Sequence, residues 1–302
     1  MQRTDKIFRL VCLLCALPAA LLLPGMLLQL LSNSAEAWHT FGLSFLWSSE
    51  WDPAAGTYGA WPGIAGTLLT TATALVPAVP LAFSAALLLT EVPGWLAKPL
   101  SHAVDLLAAI PSVIYGMWGL FVLAPLMQEH VQPLLARLPG STWLLGEDNS
   151  GFGFLTAGLI LALMILPYMC AIMRDVISMT PPMLREAAYG VGCTCLETTR
   201  DIVLRHGLRG IIGGIFIGLG RALGETMAVL FVVGNIMEPP AGLCSCGTTI
   251  AATLANNFAE ADGLQRSALF ALGLVLVVMS VGIQAGAQYY LRLTGAKRGE
   301  TI

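Results

Sequence analysis

The chain has 302 residues and a formal net charge of −3, with 56% hydrophobic and only 11% charged side chains. Soluble domains carry roughly 25% charged residues, so the composition excludes an ordinary water-soluble domain and offers no basic surface for nucleic acid. What remains is an all-α membrane protein, because lipid leaves backbone groups no partners but one another, and apolar runs this long are helices rather than barrel strands.

Six runs have the roughly 20 apolar residues needed to cross a hydrocarbon core of about 30 Å: Leu10–Leu31, Gly63–Leu89, Leu106–Met127, Phe152–Met173, Ile211–Val233 and Ala268–Tyr290. They divide the chain into an N-terminal span with its outer segment (1–62), a core of five spans (63–290) and a tail (291–302). The first span follows Arg3, Lys6 and Arg9 and precedes Ala35-Glu36-Ala37, which resembles a signal-peptidase site. Its run exceeds the 7–15 residues of a signal core, so a retained helix is expected; cleavage would leave five spans in the same orientation. Trp38, Trp47, Trp51, Tyr58 and Trp61 crowd the outer segment, and anchoring at the membrane interface is their expected role. Pro77, Pro80, Pro111 and Pro167 fall within spans and are expected to kink them.

Between the fourth and fifth spans, residues of about 174–210 are too polar to cross. Thr180-Pro181-Pro182 opens a short helix over Leu184–Tyr189 that stops near Gly190 and Gly192. Thr194 and Glu197 have capping-box spacing and open a second helix running toward Arg205. The pair forms a knob with Val191, Leu196, Ile202 and Leu204 free to seat in a groove. Arg174, Arg185, Arg200, Arg205 and Arg209 in this loop share one side with Lys98, Arg292, Lys297 and Arg298, whereas the opposite loops hold only Arg137 and Arg266. The positive-inside bias makes that side cytoplasmic, with both termini on it, in the cell inner membrane.

The fifth run carries Arg221 and Glu225, four apart and therefore expected on one helix face. Arginine at mid-bilayer costs about 2.5–3.5 kcal/mol on insertion scales and normally faces a bundle interior or a water-filled path. Its planar fork of donors suits an oxyanion. Glu225 would hold the fork or repel the anion, and Thr226 adds a hydroxyl. The alternative is an intrahelical ion pair that merely neutralises itself. Gly214 with Gly218, and Gly220 with Gly224, make two small-xxx-small steps for close helix approach. Ser112 and Tyr115 offer hydroxyls to a passing anion, although helix hydroxyls more often bond their own backbone.

The seven cysteines and four histidines suggest no metal site. Cys193 and Cys195 lie on the opposite side from Cys244 and Cys246, Cys12, Cys15 and Cys170 sit in apolar spans, and no HExxH occurs. A bridge between Cys244 and Cys246 would have an awkward geometry. The only lysines are Lys6, Lys98 and Lys297, none following a glycine, so the chain has no phosphate-cradling P-loop and no ATPase of its own.

Glu186-Ala187-Ala188, three residues, Gly192, nine residues, Ile202, one residue and Leu204 resemble the EAA loop of bacterial ABC-importer permeases, which docks into an ATPase. The usual pattern continues Leu-Pro; here Arg205 follows Leu204. The stretch Gly218-Leu-Gly-Arg-Ala-Leu-Gly-Glu-Thr-Met-Ala-Val229 with Gly234-Asn235, together with Tyr58-Gly59, Gly66-Thr67-Leu68 and Ile110–Gly116, is similar to the C-type permease family of the bacterial phosphate ABC importer. That resemblance implies phosphate as cargo, a six-helix MetI-like permease fold, an A-type permease partner, two ATPase copies holding ATP and Mg, and an extracytoplasmic phosphate-binding protein. Contact with that protein is a second reading of the outer aromatics. Another oxyanion (sulfate, molybdate or a phosphonate) stays open. So does an ion-coupled secondary transporter, although no inverted repeat is evident. An intramembrane enzyme using Glu225 as base lacks a second carboxylate or nucleophile.

Overall fold

The computed structural model describes residues 2–137 and 150–296; Lys297 and Arg298 of the expected tail lie outside them. In chain order the helices are α1 (Gln2–Asn33), α2 (Ala35–Phe41), α3 (Trp61–Glu91), α4 (Gly94–Ala109), α5 (Ser112–Ala136), α6 (Phe154–Ser178), α7 (Pro182–Gly190), α8 (Cys195–Leu223), α9 (Met227–Leu230), α10 (Ile250–Asn257) and α11 (Gly263–Ala296). Five of them, α1, α3, α6, α8 and α11, are long and apolar enough to cross a membrane, and α4 and α5, bent by 91° at the break between them, meet the same test only when taken together.

Helix α6 is the axis of the bundle. Ile160, Leu161, Met164, Ile165, Met169, Met173 and Ile177 are all buried on it. Against it α3 lays Ala74, Ala78, Ala82 and Ala86, a four-residue repeat of fully buried small side chains that brings the two backbones close. Helix α8 does the same with glycine: Gly210 faces Val176, Gly214 faces Ile172, and Gly218 faces Met169. The expected Gly214/Gly218 step is therefore a packing seam. Gly220 instead meets Gln284 of α11, and Gly224 meets no side chain, so the second expected step does not act as a pair. Helix α1 lies against α11 and buries none of its described span.

A second, smaller core closes one end of the bundle. Phe45, Tyr58 and Ala60 pack with Ile250, Ala268 and Leu272, and edge-on pairs join Trp38 to Phe45, Phe41 to Tyr58 and Trp51 to Tyr58. Of the expected interfacial anchors, Trp38, Trp51 and Tyr58 also pack into this cluster, where edge-on ring pairs add about 0.5–1.5 kcal/mol each beyond burial. Trp47 and Trp61 remain exposed.

Two of the expected spans are not single straight helices. The run Leu106–Met127 is broken at Ile110 and Pro111, both extended (ψ 126 and 141), because proline disfavours α geometry in its predecessor and cannot donate to the turn before it. Pro77, Pro80 and Pro167 lie inside continuous helices. The run Ile211–Val233 ends as a helix at Leu223.

Candidate functional site

At the end of the bundle opposite the aromatic core, α7 and the start of α8 form the expected knob. Gly192 has φ +89, and the N–H groups of Gly192 and Cys193 donate to the carbonyls of Tyr189 and Ala188 at 3.0 Å each. This pair of bonds satisfies the orphan carbonyls of α7 and needs a left-handed residue. The Thr194–Glu197 capping box is present in both directions; backbone and hydroxyl donation from Thr194 hold the Glu197 carboxyl below its ordinary range.

The second helix does not end near Arg205. Residue 205 keeps its N–H, nothing stops the helix, and a π-turn at Thr199–Val203 carries it on without a break to Leu223. Leu204 consequently packs inward against the main core and Ile202 is half-buried, whereas Glu186, Ala187 and Gly192 are exposed and Ala188 is buried. The most exposed apolar side chains of the knob are Met183, Val191 and Leu196, at 78%, 82% and 78%. An ion pair at 3.1 Å from Arg185 to Glu91 ties the knob to the end of α3, and the same guanidinium donates to the Ile177 carbonyl at 3.2 Å.

Arg221 stands in the last turn of α8, exposed, with its Cζ 4.4 Å from the ring centroid of Tyr168. Tyr168 lies near the middle of α6, roughly 15–20 Å from either end at 1.5 Å per residue. Gly224 caps α8 and Glu225 falls in the break that follows, so Arg221 and Glu225 do not share a helix face, contrary to expectation. No ion pair joins them among the described residues. Glu225 Oε1 instead accepts the Ala228 N–H at 3.3 Å, and the Thr226 hydroxyl points to the Gly224 carbonyl at 3.5 Å. The physical reason is local: glycine is a poor helix former, and short polar side chains offer backbone groups an alternative to helix bonds.

Beyond the break, α9 leads into an irregular buried segment joined by an isolated parallel bridge between Gly234 and Gly247. Val232 and Val233 are fully buried. Gly234 and Asn235 take φ +96 and +57, and the Val233 carbonyl accepts the Gly247 N–H at 2.9 Å. Irregular backbone at membrane depth is tolerated only where protein buries it or it lines a cavity. No disulfide joins Cys244 to Cys246 in this segment.

The remaining expected path residues lie at the α4–α5 elbow. Ser112 opens α5, and the buried Tyr115 donates its hydroxyl to the Leu107 carbonyl at 2.8 Å. An open groove of about 300 Å³ beside the elbow is lined by apolar side chains, Ile114, Trp118 and Leu163 among them, and offers an anion nothing. The structure gathers Arg221, Glu225 and Thr226 at one helix break and packs the start of α5, which carries Ser112 and Tyr115, against the α9 that follows it: a Cβ on Gly116 would stand 3.0 Å from the Met227 carbonyl oxygen. Tyr168 joins the two groups and was not expected; its signal was a phenol in an apolar span, which must find an acceptor when buried.

Residues 78–292 match the family described as binding-protein-dependent transport system inner membrane component. Among curated proteins, the phosphate transport system permease protein PstC of Haemophilus influenzae is 48% identical over 281 residues, 91% of this chain and 89% of that one. PstC of Pasteurella multocida is 45% identical over 300 residues, covering 98% and 94%. Among solved structures, a bacterial ABC transporter importing the acidic polysaccharide alginate superposes with a TM-score of 0.64 at 17% identity, covering 96% of both chains. An inward-facing MetNI methionine ABC transporter gives 0.57 at 17% identity, over 81% of this chain and 99% of that one.

Proposed function

The chain belongs to the family of binding-protein-dependent transport system inner membrane components, and from that premise we propose that it is the C-type permease subunit of an ATP-driven phosphate importer. It carries inorganic phosphate across the inner membrane beside an A-type permease. Two copies of a separate ATPase bind and hydrolyse ATP with Mg, and an extracytoplasmic binding protein delivers the cargo. The knob end is cytoplasmic, since Arg174, Arg185, Arg200, Arg205 and Arg209 cluster there. Its exposed Met183, Val191 and Leu196 are the apolar contacts for the ATPase. The names of the relatives in H. influenzae and P. multocida support phosphate.

The observation that carries the reading is Arg221, exposed near mid-depth without a carboxylate partner among the described residues. A guanidinium there is costly against lipid but suits the face of a path completed by a second permease, where its donors pair transiently with a phosphate oxyanion. Closure of the ATPases moves the knob, and the bundle rocks to alternate access. Arg221→Gln in the reconstituted transporter tests this. Losing a charge-assisted hydrogen bond of about 1.5–3 kcal/mol predicts roughly a 10- to 100-fold fall in uptake efficiency at unchanged assembly. Wild-type uptake by that variant overturns the role.

A further inference from the structure

The carbonyls at the end of α4 lack their usual i+4 helix donors. Pro111 has no N–H for the Leu107 carbonyl, which keeps only a long 3.3 Å bond from the Ile110 N–H, and the 91° bend carries the next residues away from Ala108. Two tyrosines from elsewhere fill the gap: Tyr115 donates to the Leu107 carbonyl at 2.8 Å, and Tyr168 of α6 donates to the Ala108 carbonyl at 3.0 Å. The same Tyr168 ring carries the Arg221 guanidinium on its face at 4.4 Å. One side chain therefore grips both the elbow of the bent span and the arginine at the helix break.

We propose that Tyr168 is a positioning residue that couples Arg221 to the α4–α5 elbow. This rests on the reading that Arg221 meets the phosphate. The ring's negative face holds the guanidinium outward with its fork toward the path, while the hydroxyl fixes the ring through the Ala108 carbonyl. A phosphate oxyanion takes the donors at the edge of the guanidinium plane while the ring keeps its face, so both contacts hold at once and the ring presents the fork to the cargo. The coupling is reciprocal: a turn of the elbow moves the ring from beneath Arg221 and changes its hold on phosphate. Glu225, the charged side chain nearest to Arg221 in sequence, is already engaged with the Ala228 N–H. The two halves of the proposal have separate chemistry, a ring face and a hydroxyl, so they can be removed one at a time.

The test measures phosphate uptake and ATP hydrolysis in proteoliposomes containing the complete transporter, normalised to assembled complex. Tyr168→Phe keeps the face and loses the hydroxyl. Its KM stays within about twofold of wild type, while ATP hydrolysed per phosphate rises several-fold. Tyr168→Met loses both, and its KM also rises, by up to about tenfold for a lost cation–π contact. A ring-fluorinated phenylalanine at 168 preserves shape but weakens the face, and raises KM above that of the Phe variant even where the Met variant fails to assemble. Equal KM for the fluorinated and plain phenylalanine forms overturns the proposal, as does unchanged coupling in Tyr168→Phe. Wild-type uptake by Arg221→Gln would instead remove the underlying reading, so the two failures are distinguishable.

Discussion

A Cβ placed on Gly218 would stand 2.6 Å from the Cγ and Sδ of Met169, a side chain with no exposed surface of its own. Gly213, five residues earlier on the same helix, has nothing within 4 Å. Gly218→Ala is expected to destabilise by about 1–3 kcal/mol through overpacking, and Gly213→Ala to be neutral or to stabilise by about 0.4–1 kcal/mol. Unfolding temperatures of the purified complex check the pair; a Gly218→Ala variant as stable as wild type would show that α8 has room to move off α6. The seam was legible in the sequence because small residues recur every four positions. The fate of Glu225 was not. Spacing of four places two residues on one face only if the helix continues, and Gly224 ends it. A glycine followed by two side chains able to cap was the available signal, masked by the apolar run on both sides.

Elements show the same division. Helices whose ends carry their own chemistry were readable: Gly192 requires a left-handed residue, and Thr194 with Glu197 announces a helix start. Elbows inside apolar runs were not, since hydrophobicity is the same for a straight span, for α4 bending into α5, and for a buried irregular segment. At the knob, Gly192→Ala forces a Cβ into φ +89 and is expected to raise ATP hydrolysis per phosphate by misplacing α7, without loss of the bundle. Unaltered coupling in that variant would show that the ATPase does not read the turn. Because the Glu197 carboxyl is held below its ordinary range, its folded-state pKa lies under the unfolded one. The capping box therefore contributes above the ordinary carboxylate range and is lost as pH falls through the depressed value. Glu197→Gln should abolish that acid-side loss of local order, read by hydrogen exchange of the Thr194–Glu197 amides. The Arg185–Glu91 pair is partly exposed, at 22% and 35%, and a double-mutant cycle is expected to return a coupling of only about 0.2–1 kcal/mol. Its importance lies in fixing where the knob sits on α3.

At the scale of the molecule, two exposed apolar surfaces have opposite meanings. Leu22 on α1 is 65% exposed, and the described part of that span has no buried residue or charge beyond Arg9. Ile217 and Met227, exposed by 58% and 41%, flank Arg221 instead. Lipid suits the first surface. It does not suit the second, where the guanidinium would stand in hydrocarbon; a second permease with a wet path between the subunits removes that conflict. In a variant whose seven native cysteines are replaced, cysteine at 227 is expected to react with a small charged thiol reagent and to cross-link to the sibling permease. Cysteine at 22 is expected to do neither. Phosphate should slow labelling at 227 if cargo passes Arg221. Equal inertness at both positions would place the Arg221 face against lipid or sealed protein, and would remove the path while leaving the fold and the knob untouched.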